Sequence, residues 1–505
     1  MSNSTITPES ILLAKKSGQS PITTRIGTGV LGLDEILLGG LPAGQMYLLE
    51  GDPGTGKTTL AMQFIIAGVR QGEKTLYVTL SESRTELEGS AISHGWEVSE
   101  LPIAEFIPAE ASLSPEQQYT VFHPSEVELA ETIQKLTQLI DQVKPDRLVI
   151  DSLSELRLLA ADTMRYRRQL LALKHYFVGR DTTVLLLDDR TAEGSDMQLQ
   201  SIAHGVFRLE KIQRNYGVTR RRMEILKLRG SAYREGYHDY TITTGGLHIF
   251  PRLVANEHDT PFDDERLVSG LPALDAMFGG GINRGSSTLI MGPSGCGKST
   301  ISMVFASAAA ARGDRTIVYA FDEVLRTAQD RAEALGMPVR RLIEEGSLAM
   351  SQVDPAELSP GEFASQIRHD VENNDTRVVV IDSLNGFMMS MPGEKDLHLH
   401  MHELLAYLNQ KGVVTFLLLT QHGFIGSMQT EVDISYLSDT VILLRYFETE
   451  GEIRQLISVV KQRVGQHERT LRELRMGGGA VHIGEPLSSF RGILTGVPEL
   501  IGASY

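Results

Sequence analysis

At 505 residues the chain exceeds the roughly 50–250 residues of one ordinary domain, so at least two domains are expected. With 41% hydrophobic and 22% charged residues, a wholly disordered or fibrous protein is excluded. A formal net charge of -16 argues against general affinity for nucleic acid, and the single cysteine, Cys296, cannot form an internal disulfide and fits a reducing cytoplasm.

Residues 1–18 read as a flexible tail, and the first 24 residues, broken by Pro8 and Pro21, lack the apolar core of a signal peptide. The least polar run, Ile301 to Ala311, is far short of the roughly 18 residues of a membrane span, so no membrane role is expected. The chain is internally duplicated: Arg25 to Ser83 aligns without a gap onto Arg266 to Val324 at a constant offset of 241. Later landmarks recur with small insertions, Asp151-Ser152-Leu153 answering Asp382-Ser383-Leu384. The boundary is expected between Pro251 and Glu265, which makes 19–252 the first domain and 253–505 the second.

Within each copy, short apolar runs alternate with helical patterns, the mark of an α/β domain with a mainly parallel sheet. Buried strands are predicted at Tyr47–Glu50, Thr75–Thr79, Arg147–Ile150 and Thr183–Leu187. Their second-copy counterparts are Thr288–Met291, Thr316–Ala320, Val378–Ile381 and Thr415–Leu419. After the first strand of each copy stands a phosphate-cradling loop. One is Gly51-Asp-Pro-Gly54-Thr55-Gly56-Lys57-Thr58-Thr59, the other Gly292-Pro-Ser-Gly295-Cys296-Gly297-Lys298-Ser299-Thr300. Glycines let successive amides turn inward toward phosphate oxygens at the positive end of the following helix. Lys57 and Lys298 are then placed for the β- and γ-phosphates of ATP, and Thr58 and Ser299 for Mg²⁺. A helical pattern follows, with Leu60, Phe64, Ile65 and Val69 on one face.

Asp151 and Asp382 each end an apolar strand, where a second acid supports the metal; capping the next helix is the competing use. Glu82, after Ser81, and the pair Asp322-Glu323 end another strand and could activate a water or a hydroxyl for phosphoryl transfer; a solvated acidic turn is the alternative. Lys227-Leu228-Arg229 and Lys461-Gln462-Arg463 read as strand segments, whose alternation puts both cations of a pair on one face. Lent by an adjacent subunit, they would neutralise γ-phosphate charge; a solvated strand edge is the other reading. His398, His400 and His402 suit an exposed helix better than a metal site, Arg220-Arg221-Arg222 suits a pore or interface strand better than a nucleic-acid patch, and Cys296 reads as an inert small side chain.

This ordered set resembles the KaiC family of RecA-like ATPases with two fused copies, over about residues 20–500. Further residues carrying the likeness are Ile92-Ser-His-Gly-Trp96, Ile225-Leu-Lys-Leu-Arg-Gly230 and Ser489-Phe-Arg-Gly-Ile493. The resemblance implies two tandem RecA-like P-loop domains in a cytoplasmic homohexameric double ring, with ATP between subunits in both tiers. It implies hydrolysis in the first tier and autophosphorylation across the subunit boundary in the second. Lys227, Leu228 and Arg229, with Lys461, Gln462 and Arg463, would meet the neighbour's ATP, and Ser93 would lie near the first adenine. The acceptor segment precedes Asp439-Thr440, which singles out Ser435 and Tyr436. Signalling or clock proteins are the implied partners.

Three departures stand out: Tyr436 replaces one acceptor hydroxyl, Asp322 replaces the family's glutamate, and Ser81 replaces an acid. The family's long tail after its core is not expected before Tyr505, so the activator that reads it is not implied. An ATP-assembled signalling scaffold with little turnover and a RecA-like DNA-handling motor are the competing functions, the second disfavoured by charge.

Overall fold

The computed structural model describes residues 24–97, 101–106, 124–160, 163–190, 197–213, 217–254, 261–389, 397–421, 436–449, 451–493 and 499–500. The chain forms two compact units: the first reaches Arg252, and the second begins at Leu253 and also takes in Gly217 and Val218. Each is built on a nine-stranded sheet. In the first the order is Ile103–Glu105, Thr75–Thr79, Arg147–Asp151, Thr183–Asp189, Met46–Gly51, Gly205–Ile212, Arg220–Leu228, Tyr237–Thr243 and Gly246–Phe250. Neighbours are parallel as far as Gly205–Ile212 and antiparallel beyond it. The second unit repeats this order, from Leu348–Gln352 and Thr316–Ala320 through Val378–Asp382, Val414–Thr420, Ser287–Gly292 and Thr440–Thr449 to Glu452–Gln462, Arg472–Gly477 and Ala480–Pro486. Both are α/β domains with mainly parallel sheets, as the alternation of runs predicts.

The central parallel strands are apolar over most of their length because both sheet faces are covered. Tyr47 and Leu49 point into one core and Met46 and Leu48 into the other, the alternation of an extended chain. Helix Lys57–Arg70 buries Leu60, Phe64 and Ile65 on the first face, and Thr163–Phe177 buries Tyr166, Leu170, Leu173 and Phe177 on the second. Those spacings of three and four residues make the apolar stripe of an amphipathic helix. In the second unit helix Lys298–Ala311 contributes Ile301, Phe305 and Ala309, while Pro360–Asn373 contributes Phe363, Ile367 and Val371 to the opposite core. Strands Arg472–Gly477 and Ala480–Pro486 are joined by a tight hairpin: Gly478 and Gly479 have φ of 64° and 82°, the positive values that a two-residue turn between right-twisted strands demands. Among the described residues no helix is long and apolar enough to cross a membrane.

The run Arg220-Arg221-Arg222 opens the strand Arg220–Leu228, where Arg220 is buried and Arg222 pairs with Glu210 at 2.8 Å and lies over the Tyr237 ring. His238, also buried, accepts a hydrogen bond at Nδ1 from the Arg252 amide (2.9 Å) and places Nε2 at 3.0 Å from the Arg234 carbonyl, a pattern that requires neutral imidazole. Burial lowers its pKa from 6.5 to about 4. The unfolded chain therefore takes up a proton between pH 6.5 and 4 that the folded domain refuses, and stability present above pH 6.5 is lost as pH falls through that window. The effect approaches about 3 kcal/mol at its acid end. Urea unfolding of the first domain at pH 7 and pH 4.5 should show this loss, and His238→Asn should flatten it; an unaltered pH dependence in the variant would refute the assignment.

Candidate functional site

Both phosphate-loop motifs lie at the carboxyl ends of the parallel strands, the edge where open α/β sheets bind ligands. Gly51 ends the strand Met46–Gly51, and Gly56, at φ 94°, turns the chain into helix Lys57–Arg70; Gly297, at φ 102°, does the same for Lys298–Ala311. A side chain there would be strained, and at Gly56 a Cβ would also meet Ile242 at 2.6 Å. Each loop curls around its own lysine. Lys57 Nζ donates to the Gly51 and Asp52 carbonyls (2.8 and 3.1 Å) and pairs with Asp189 Oδ1 at 2.7 Å. Lys298 Nζ donates to the Gly292 and Pro293 carbonyls (3.0 and 2.8 Å), and burial lowers its pKa. Gly54 and Gly295 also have positive φ. Thr55 is buried, donating to the Asp52 carbonyl (2.7 Å) while Tyr240 donates to its own (2.6 Å); Cys296 takes its place in the second loop, and burial pushes the thiol pKa up. Thr59 and Thr300 are buried one step into the helices.

Next to each lysine a hydroxyl meets a strand-end acid. Thr58 Oγ1 donates to Asp151 Oδ2 at 3.0 Å, and Tyr77 donates to the same oxygen at 2.5 Å. In the second copy Ser299 stands beside Asp382 and stabilises its carboxylate. Burial raises both carboxyl pKa values; Tyr77, Thr58 and Lys57 oppose it at Asp151, and chiefly Ser299 opposes it at Asp382. A buried carboxylate beside a hydroxyl is the hard oxygen donor set that Mg²⁺ takes. In both copies the peptide after the aspartate is cis.

The catalytic candidates differ between copies. Glu82 sits in a turn held by Thr79 Oγ1, which donates to the Glu82 carbonyl (2.7 Å) and accepts from its amide (3.0 Å). Burial raises the Glu82 carboxyl pKa, with further upward pushes from Asp151, Glu86 and Asp189. In the second copy Ser383 Oγ donates to Asp322, and Arg331 Nη1 donates to Glu323 Oε1 at 2.5 Å.

The paired cations occupy the opposite edge of each sheet. Leu228 pairs with Gly205, which pairs with Tyr47 near the start of the phosphate-loop strand; the same chain's loop is therefore roughly 15–20 Å away along the strand. The named strands end at Leu228 and Gln462, yet the ladder runs on through each arginine, the Arg229 amide donating to the His204 carbonyl (3.0 Å) and the Arg463 amide to the Asp439 carbonyl (2.9 Å). Both cations of a pair reach carbonyls of one neighbouring segment. Lys227 donates to the Gln200 carbonyl and Arg229 to the Ser201 carbonyl (2.7 Å). Lys461 donates to the Ser438 carbonyl (2.7 Å), and Arg463 pairs with Asp439 (3.2 Å) and grips the Tyr436 carbonyl (2.5 Å). Gln462 donates to the Phe278 and Val464 carbonyls. Burial lowers the Lys227 pKa, and Arg229 and Lys174 lower it further. Tyr436 is exposed beside this cluster, whereas Ser435 lies outside the described residues. Ser93 closes helix Arg84–Ser93, exposed, its hydroxyl donating to the Ser90 carbonyl at 2.6 Å.

A family model described as "ATPase: KaiC" matches residues 26–254 and again 267–488. The chain belongs to the KaiC ATPase family. It is similar to the circadian clock oscillator protein KaiC of Acaryochloris marina, 29% identical over 96% of this chain and 94% of that protein. It is also similar to the circadian clock protein KaiC3 of a Synechocystis species, 28% identical over 94% of each chain, and to the KaiC of a Picosynechococcus species, 29% identical over 94% of this chain and 93% of that one. Both matched stretches contain a complete phosphate loop, so this KaiC family member carries the ATP-binding framework twice.

Residues that motif reading passed over lie among these side chains. Asp189 ends the strand beside the phosphate loop, paired with Gly51 across the sheet, and Thr420 stands opposite Gly292 in the same way. Arg331 answers Ser90 at the 241-residue offset. Each difference is visible once the two copies are written one above the other, although its partner is not.

Proposed function

We propose that the chain binds one MgATP in each domain, hydrolyses ATP in the first and transfers a phosphoryl group to Ser435 across the subunit boundary in the second, within a hexameric double ring of clock-type signalling. The observation that carries this is the duplicated arrangement of a buried lysine inside a glycine loop beside a hydroxyl–aspartate pair, Lys57 with Thr58–Asp151 and Lys298 with Ser299–Asp382. Thr58 with Asp151, and Ser299 with Asp382, would hold Mg²⁺, which when bound offsets phosphate charge. Glu82 takes the proton of the attacking water in the first domain, and the Asp322-Glu323 pair supplies the carboxylate that activates the hydroxyl in the second. Because Lys227, Arg229, Lys461 and Arg463 lie at the far edge from the phosphate loop of their own domain, any nucleotide they meet is bound outside that domain, which supports a ring assembly. Ser93 is assigned to the adenine of the first site, and Tyr436 to the acceptor segment.

Calorimetry with MgATP should find two sites per chain, with Lys57→Ala and Lys298→Ala each removing one. Mass analysis of the incubated protein should find six subunits and phosphate on Ser435. Absence of nucleotide uptake would sink the proposal; two filled sites without turnover would leave an ATP-assembled scaffold.

A further inference from the structure

The duplicated pockets differ at the carboxylate that would face the attacking water. In the first domain the Glu82 carboxylate has no hydrogen-bond or ion-pair partner among the described residues, and position 90, one helix face away, is a serine whose carbonyl accepts from Ser93. In the second domain the position equivalent to Ser90 is Arg331, on helix Leu325–Ala334, which begins two residues after Glu323. Its guanidinium closes the turn by donating to Glu323 Oε1 at 2.5 Å, both side chains being about one-third exposed at 37% and 27%. Partial exposure screens the Coulombic attraction, so the contact acts mainly as a geometric restraint. A carboxylate oxygen already accepting from a fixed guanidinium cannot accept a proton from water along that lone pair.

We propose that Arg331 is a positioning residue that latches Glu323 and thereby suppresses ATP hydrolysis in the second domain, leaving ATP there for transfer to a protein hydroxyl. This rests on the ATPase reading above. In the suppressed reaction the water oxygen bonds to the γ-phosphorus, the bond from that phosphorus to the β–γ bridging oxygen breaks with its electron pair staying on ADP, and the water proton passes to the carboxylate and then to solvent. Asp322 stays available for the protein hydroxyl, because its bond comes from the neutral Ser383 hydroxyl to Oδ2 alone and sets no cation against the carboxylate. Helix-borne and partly exposed, Arg331 can be replaced without opening a core.

The test uses the full chain carrying Lys57→Ala, which confines nucleotide to the second domain, with MgATP affinity measured by calorimetry beside ADP release. Arg331→Gln should raise hydrolysis about tenfold or more while leaving affinity unchanged, and Arg331→Lys, which keeps a cation, should return most of the suppression. With Glu323→Gln also present, Arg331→Gln should have no effect, because the latch acts through that carboxylate. An unchanged or lower rate in Arg331→Gln with MgATP still bound would overturn the latch alone. Loss of MgATP binding in the Lys57→Ala parent would instead overturn the ATPase reading, and the latch with it.

Discussion

Glu82→Gln should lower ATP turnover by the first domain about 10²- to 10⁴-fold while MgATP affinity stays near its original value. Glutamine keeps the size of the side chain and the Thr79 turn, which is built on backbone atoms of residue 82, so only the proton acceptor is lost. Measured in a chain with Lys298→Ala, where the second site is silent, the drop reads the first domain directly. The same carboxyl sets a pH signature. Burial and the neighbouring Asp151, Glu86 and Asp189 raise its pKa, so the deprotonated form that accepts a proton is lost at a higher pH than for an ordinary glutamate. First-domain turnover should therefore fall on the acid side at a higher pH than an ordinary glutamate would set, with folding and MgATP binding monitored in parallel. A Glu82→Gln chain that hydrolyses at the original rate would remove Glu82 from the chemistry and turn attention to Asp189.

Arg147→Ala should destabilise the first domain by about 3–5 kcal/mol, the range for breaking a buried ion pair from one side. Arg147 is fully buried at the start of Arg147–Asp151. Its guanidinium bonds Glu73, Gln71 (3.2 Å) and the carbonyls of Gly27 (2.7 Å) and Phe64 (3.1 Å), and it lies 4.8 Å from the centroid of the Phe64 ring. Gly68 makes room for it, since a Cβ there would stand 2.8 Å from Arg147 Cδ. Removing the cation leaves a carboxylate and several carbonyls without their donor. Denaturant unfolding of the first domain is the measurement; a loss below about 1 kcal/mol would show that water takes over these groups. The second domain has Val378 at this place, pairing with Thr316 as Arg147 pairs with Thr75, so the sheet itself does not require a cation there.

The α/β class, the paired phosphate loops and the strand-end acids were legible because each follows from local rules. A buried parallel strand reads as a near-continuous apolar run, as Val378–Ile381 does, and a loop that cradles phosphate needs glycine where φ turns positive, as at Gly56 and Gly297. The family likeness was likewise carried by residues close together in the chain. What the sequence could not display was pairing across distance. Asp189 lies more than a hundred residues from Lys57 and meets it only because their strands are neighbours in the sheet. Arg147, read as part of a strand, gave no sign that its charge would be buried, since that depends on Glu73, Gly27 and Phe64 converging from other segments. Arg229 and Arg463 follow the strand pattern, yet the carbonyls of Ser201 and Tyr436 that hold their guanidinium groups are distant in sequence and come within reach only through the sheet. Sequence alone thus determined which chemical groups the two halves carry, because backbone preference and burial period act over a few residues; the folded sheet decided which of those groups touch, because hydrogen bonds and ion pairs form wherever strand order brings their atoms together.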